Sequence, residues 1–180
     1  IKKRARRPRI LLVTPEVTEL PPGMGNLANF VIAKGGGLAD ISAALVTEMI
    51  QLGLDIHIAL PKYERHMREQ ANITQAELDR LVSLFHSSEP IHLAQDSAFA
   101  HVQEVYEHFG ANTARHRALA FQRAVVNQII GEAMPSHGKM LIHCNDWMTG
   151  LVPAAAHAQG LSCLFTLHNI HSDRQTLRSI

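Results

Sequence analysis

Ala33-Lys34-Gly35-Gly36-Gly37-Leu38-Ala39-Asp40 follows the apolar run Ile10-Leu11-Leu12-Val13 and opens the periodic stretch Ile41 to Leu52. An apolar run, a glycine loop and a helical pattern read as strand, turn and helix, the first unit of an α/β sheet. A glycine loop at a helix start leaves backbone N–H groups pointing at solvent, and the positive end of the helix dipole favours an anion there. Lys34 adds a full cation, so the stretch reads as a phosphate site. The competing reading is a tight turn that needs positive φ. The lysine precedes the glycines, so the loop lacks the G-x-x-x-x-G-K-[ST] order of an NTPase loop, and it also lacks the G-x-G-x-x-G of a dinucleotide-dependent oxidoreductase.

The alternation continues downstream. Residues 10–14 read as a buried parallel strand. Ile41, Leu45, Met49 and Leu52, with Leu38 one turn earlier, predict the buried face of the first helix, and Gly53 is placed to end it. Residues 55–60 form a second strand, stopped by Pro61. Thr74 and Glu77 are a capping box for a helix carrying Leu78, Leu81, Val82 and Phe85. Residues 91–93 and 100–106 are weaker strand candidates. Residues 113–134 are the longest helical stretch, with Phe121, Val125, Ile129 and Ala133 in one stripe. A strand at 139–143 precedes Asp146, a candidate N-cap, and Pro153, which belongs near a helix start. Residues 162–167 are the last clear strand. Strands alternating with helices imply a mostly parallel, twisted sheet with helices on both sides, a three-layer Rossmann-like α/β domain. Ligands sit outside the carboxyl ends of such strands. Glu16, Lys34, Asp146 and His168 each follow a predicted strand end and are expected to converge there.

With 180 residues, 46% hydrophobic and 18% charged, the chain reads as one globular domain with room for a core. No apolar run approaches the ~20 residues of a membrane helix. Lys2, Lys3, Arg4, Arg6, Arg7 and Arg9 place six of the 17 Lys and Arg in residues 1–9, where no acid lies. Residues 10–180 keep the other 11 against 16 Asp and Glu, a formal −5. Residues 1–9 thus read as a disordered, solvated basic tail, and nucleic acid is not the expected partner. A chain starting at Ile1 rather than Met reads as a processed piece. Cys144 and Cys163 make no disulfide framework, and reduced thiols in a cytoplasmic protein are the expectation. Although there are 12 histidines, no C-x-x-C, H-E-x-x-H or H-x-x-E-H supplies a ligand nucleus, so no metal or other cofactor is expected.

Further ordered stretches join the glycine loop: Thr14-Pro15-Glu16, then His143-Cys144-Asn145-Asp146-Trp147-Met148-Thr149-Gly150, then Phe165-Thr166-Leu167-His168-Asn169. Leu60-Pro61-Lys62-Tyr63 and Phe121-Gln122-Arg123-Ala124 lie between them. In this order they resemble the N-terminal domain of bacterial glycogen synthases and plant starch synthases. That family reads T-P-E, K-[TV]-G-G-L-x-D, L-P-x-Y, F-[SC]-[RK]-A, H-x-x-D-W-x-[TA]-G and F-[TS]-x-H-N, and the likeness covers roughly residues 9–172. The chain departs from the pattern at Gly35, where the family has Thr or Val, and at Met148, where it often has His. It also carries about a dozen extra residues between Thr18 and Ile32. Their Pro21-Pro22-Gly23 and Gly25-Asn26 predict a mobile flap over the phosphate edge.

The resemblance implies the N-terminal, acceptor-side half of a GT-B-type retaining glucosyltransferase, spanning residues 10–180. The family's second, nucleotide-binding domain is expected as a missing C-terminal partner, and the fragment alone is expected to be inactive. The reaction implied moves glucose from ADP-glucose or UDP-glucose to the non-reducing end of an α-1,4-glucan. Lys34, with Gly36 and Gly37, would meet the donor phosphates. His168 would hydrogen-bond the transferred glucose, with Asn169 beside it. Asp146 would accept from glucose hydroxyls, or cap a helix, or both. Glu16 would support the site or touch the acceptor. Lys34, Asp146 and His168 form the expected catalytic group. The alternative is a non-catalytic glucan- or nucleotide-binding regulatory module on the same fold.

Overall fold

The computed structural model describes residues 8–85, 90–106 and 111–168. Five strands form one parallel sheet: β1 Arg9–Val13, β2 Asp55–Pro61, β3 Ile91–Ala94, β4 Met140–Asn145 and β5 Ser162–Thr166. Their spatial order is β3-β2-β1-β4-β5. The helices are α1 Gly37–Gln51, α2 Glu64–Ala71, α3 Gln75–Phe85, α4 Ser97–Ala100, α5 Ala111–Ala124, α6 Ile130–Ala133 and α7 Val152–Ala158. The pattern is the α/β, Rossmann-like fold read from the sequence.

Both faces of β1, β2, β3 and β4 are largely buried, which is why these strands are apolar runs rather than alternating ones, whereas Leu164 and Phe165 of the edge strand β5 are exposed. Ile10 and Leu12 face a core with Ala43 and Val46 of α1, Met67 of α2, and Leu78 and Val82 of α3. Leu11 and Val13 face the opposite core, with Phe99 of α4, Phe121 of α5, and Val152 and Ala156 of α7. The predicted stripe Phe121, Val125, Ile129 and Ala133 is buried as expected. A π-helical turn, Val125–Ile129, interrupts the long helix between α5 and α6, and the periodicity gave no hint of it.

Local signals fix several boundaries. Gly53 takes φ 66°, its N–H bonds to Ile50, and Leu54 N–H reaches Met49, a Schellman closure of α1. Glu77 N–H donates to the Thr74 hydroxyl while Thr74 N–H donates to Glu77, the predicted capping box. Pro153 stands in the first turn of α7. Strand β1 starts at Arg9, inside the predicted tail; Arg9 pairs with Asp55 at 2.9 Å.

Four expectations are corrected. The buried face of α1 is Leu38, Ala39, Ser42, Ala43 and Val46, whereas Ile41 is 43% and Leu52 65% exposed. The phase follows from Ser42, whose hydroxyl lies 2.9 Å from that of Thr14 at the end of β1 and turns the small alanine face to the sheet. Residues 100–106 form no strand. Phe99, Val102 and Val105 are buried at a spacing of three, a turn-like period that alternation misread. The Thr18–Ile32 segment is no flap. It includes a short 3₁₀ helix, Asn26–Asn29, and buries Met24, Leu27, Ala28 and Val31 in the α1-side core. Its glycines turn the chain, but its apolar side chains hold it down. Finally, Asp146 makes no side-chain cap; the turn after it is a 3₁₀ helix, Trp147–Thr149.

Candidate active site

The connections run from β1 outward to β2 and β3, then back across to β4 on the other side of β1. The topology therefore reverses between β1 and β4, and the crevice at their carboxyl ends is where such sheets bind ligands. Glu16 and the glycine loop follow β1, while Asn145 and Asp146 end β4. His168 lies two residues beyond β5, on the same rim. One strand separates β1 from β5, so the two rim segments stand roughly 10 Å apart at strand spacing. Asn169 lies outside the described residues.

The segment after β1 is zipped to the glycine loop. Val17 and Ala33 exchange two backbone hydrogen bonds of 2.9 Å. The fully buried Glu16 carboxylate accepts from Gly35 N–H and, at 2.8 Å, from Gly36 N–H. Its other oxygen accepts from the Tyr106 hydroxyl at 3.0 Å. Tyr63, of the Leu-Pro-Lys-Tyr motif, donates to the Pro15 carbonyl at 3.0 Å. The chain's two tyrosines thus both hold the Thr-Pro-Glu segment. Burial, then the charge of Glu16, raises both phenols far above their ordinary pKa and keeps them neutral donors. Glu16 is thus bound into the loop and not open to solvent. Gly36 contributes backbone shape, because its N–H is taken by Glu16, while Gly37 begins α1.

Lys34 is half-exposed, and its ammonium binds both oxygens of Asp40 at 2.9 and 3.0 Å. A hydrogen bond from Thr18 and then the Lys34 ammonium hold the Asp40 carboxyl below the usual range. The cation stands three residues ahead of α1, in an exposed ion pair.

A second chain of hydrogen bonds crosses the switch point. Thr14 spends its one hydroxyl proton on the Glu16 carbonyl, so Ser42 donates to Thr14, and Asn145 Nδ2 donates to Ser42 at 3.4 Å. In this polar bridge from β4 to β1, Thr14 and Asn145 lie in the quoted motifs, but Ser42, which links them, carried no signal that sequence reading could use. Beyond it, Asp146 sits at φ 65°, ψ 178°, a region that essentially only glycine adopts. The Oδ1 atoms of Asn145 and Asp146 are buried without a hydrogen-bond partner among the described residues. Asp146 is near enough to Tyr106 to raise its phenol further. Strain and unmet buried acceptors thus coincide at this strand end.

His168 is exposed, and its proximity helps burial depress the pKa of His143, whose ring contacts the Thr166 hydroxyl at 2.9 Å. Cys144 is buried and Cys163 half-buried; burial raises both thiols, so both stay protonated. Met148 is buried, which accounts for an apolar residue at that position. Among the described residues, no cluster of His, Cys, Asp or Glu is arranged to hold a metal, and no helix is long and apolar enough to cross a membrane.

Fold and rim together define an α/β domain with a glycine loop after β1 and a strained carboxylate after β4 at the carboxyl ends of its strands. Residues 9–179 match the starch synthase catalytic domain family, and the chain belongs to it. The glycogen synthase of Cellvibrio japonicus is 29% identical over 158 residues, 78% of this chain and 33% of its own length. That of Gloeobacter violaceus is 29% identical over 148 residues, 77% and 31% respectively. That of Nitrosomonas europaea is 29% identical over 189 aligned residues, 92% and 35%. The chain thus spans about a third of the length of the curated relatives it matches.

Proposed function

We propose that the chain is the N-terminal, acceptor-side domain of a GT-B glucosyltransferase that extends an α-1,4-glucan from ADP-glucose or UDP-glucose with retention. The observation that carries the reading is the exchangeable Lys34 ammonium at the head of α1, on one rim with the strained, unmatched Asp146. Negative charge grows on the departing nucleoside diphosphate, and Lys34 with the Gly37 N–H at the dipole's positive end is suited to stabilise it. Asp146 accepts from glucose hydroxyls, and His168, with Asn169, hydrogen-bonds the glucose near its reacting carbon. Attack comes from the face the diphosphate leaves, so catalysis is positioning plus charge stabilisation and needs no protein nucleophile. A second nucleotide-binding domain closes over the donor. The protein works in the cytoplasm, where nucleotide sugars are made.

The test is Lys34→Ala in the longest natural protein that carries this sequence, with transfer to maltooligosaccharides and calorimetric titration as readouts. Transfer falls at least a hundredfold while glucan affinity stays within about twofold, the size expected for removing one preorganised cation. The pair with Asp40 is exposed, so the urea midpoint stays close to that of the parent. Glucan binding without any transfer by the unaltered protein means the chain is a binding module instead.

A further inference from the structure

We infer that Glu16 and Tyr106 form a latch that shapes the glycine loop, making both of them positioning residues for the anion site rather than substrate contacts. The inference rests on the phosphate-binding reading of that loop. Glu16 is buried, and among the described residues its carboxylate accepts three hydrogen bonds, from Gly35 N–H, Gly36 N–H and the Tyr106 hydroxyl. A carboxylate in this position does for the loop's first turn what a bound anion would do. It takes up two N–H groups that would otherwise diverge, and so fixes the direction in which Gly37 begins α1. Tyr106 holds the other carboxylate oxygen and packs on bare backbone. A Cβ on Gly35 would lie 2.6 Å from Tyr106 Cδ2 and 2.9 Å from Val105 Cβ, so the ring fills the space a side chain would take. Glycine at position 35 is therefore a close-packing requirement, not a source of looseness. Tyr63 on Pro15 and the Val17–Ala33 pairing hold the carboxylate's own backbone from both sides.

The opposite role is equally concrete. A carboxylate seated on loop N–H groups can act as an internal competitor that an incoming phosphate must displace, and the two roles differ in sign. Pyrophosphate is titrated into the 180-residue chain and three variants, with two-dimensional amide spectra and hydrogen exchange recorded alongside. As a latch, Glu16→Ala weakens pyrophosphate binding at least tenfold although it removes a negative charge. Glu16→Gln keeps an acceptor for both N–H groups and restores affinity to within about threefold. Tyr106→Phe lies between. If Glu16→Ala and Glu16→Gln both bind pyrophosphate more tightly than the parent, Glu16 is a competitor and the latch is overturned. If Glu16→Ala does not fold, Glu16→Gln and Tyr106→Phe decide on the same signs. Should the parent chain bind no pyrophosphate, the phosphate reading fails, and exchange still tests the latch. Gly35 and Gly36 amides are protected in the parent and lose protection at least tenfold in Tyr106→Phe; unchanged protection overturns it.

Discussion

Asp146 carries two costs at one position. Its backbone occupies a region that suits glycine, a strain worth roughly 1–3 kcal/mol, and its buried Oδ1 lacks a partner among the described residues. A residue optimised for stability here would be glycine. Asp146→Gly is expected to stabilise the fold by about 1–2 kcal/mol, read as a higher midpoint in urea, while glucosyl transfer by the whole protein drops at least a hundredfold. A destabilised Asp146→Gly would show that the aspartate serves the fold. The sequence placed Asp146 at a strand end and offered both a cap and a sugar contact. The structure removes the cap, since Asp146 makes no side-chain bond to the turn that follows it. Lys34 was legible as a cation at a helix start, but its Asp40 partner was not, since a six-residue separation across a loop fixes no geometry. Tyr106 was invisible as a site residue because its partner, Glu16, lies 90 residues away.

Elements were read best where a chemical signal is local. The capping box, the Gly53 closure and Pro153 depend on neighbours within one turn, and each boundary stands where those residues put it. The face of α1 was misread because Ser42, a polar residue, sets its rotation through a tertiary contact that apolar periodicity does not see. The Phe121-Gln122-Arg123-Ala124 stretch shows the same division. Phe121 is core, as its stripe implied, but Gln122 is buried and couples two elements. Its amide Nε2 donates to the Ala118 carbonyl, and its Oε1 accepts from Leu151 N–H at 2.5 Å, tying α5 to the chain just before α7. The family pattern has Ser or Cys here, too short for that reach. Gln122→Leu keeps the volume and strands the Leu151 N–H, a loss of about 1–2 kcal/mol in a denaturant melt. A change under about 0.3 kcal/mol would mean that water replaces the amide at no cost.

The whole molecule separates its chemistry from its acid sensitivity. The rim holds the candidate site at the carboxyl ends, whereas His57, the third residue of β2, meets His92 of β3 nearer the opposite end. His57 Nδ1 lies 2.8 Å from His92 Nε2, so one ring donates and the other accepts, and the rings stack at 5.1 Å. Asp55 stands 3.5 Å from His57 Nε2, Arg9 is paired with that same Asp55, and Glu132 of α6 is 3.8 Å from His92 Nδ1. Burial first, then the charges of Arg9 and His92, lower the pKa of His57 to about 4 from 6.5, against the opposing pull of Asp55. The unfolded chain accepts a proton on this ring near pH 6.5, and the folded chain only near pH 4. Between those values the unfolded state binds more protons, so the ring's contribution is complete above pH 6.5 and is lost as pH falls toward 4. With partial solvent screening the loss amounts to about 1–2 kcal/mol across that window. His143, lowered in the same direction, adds to it. Thermal melts from pH 7.5 to 4 should show the midpoint falling below pH 6.5, and His57→Gln should flatten that fall by removing this ring's shift. An equally steep fall in the variant would move the acid sensitivity away from His57, with the depressed imidazole of His143 on the rim as the next ring to test.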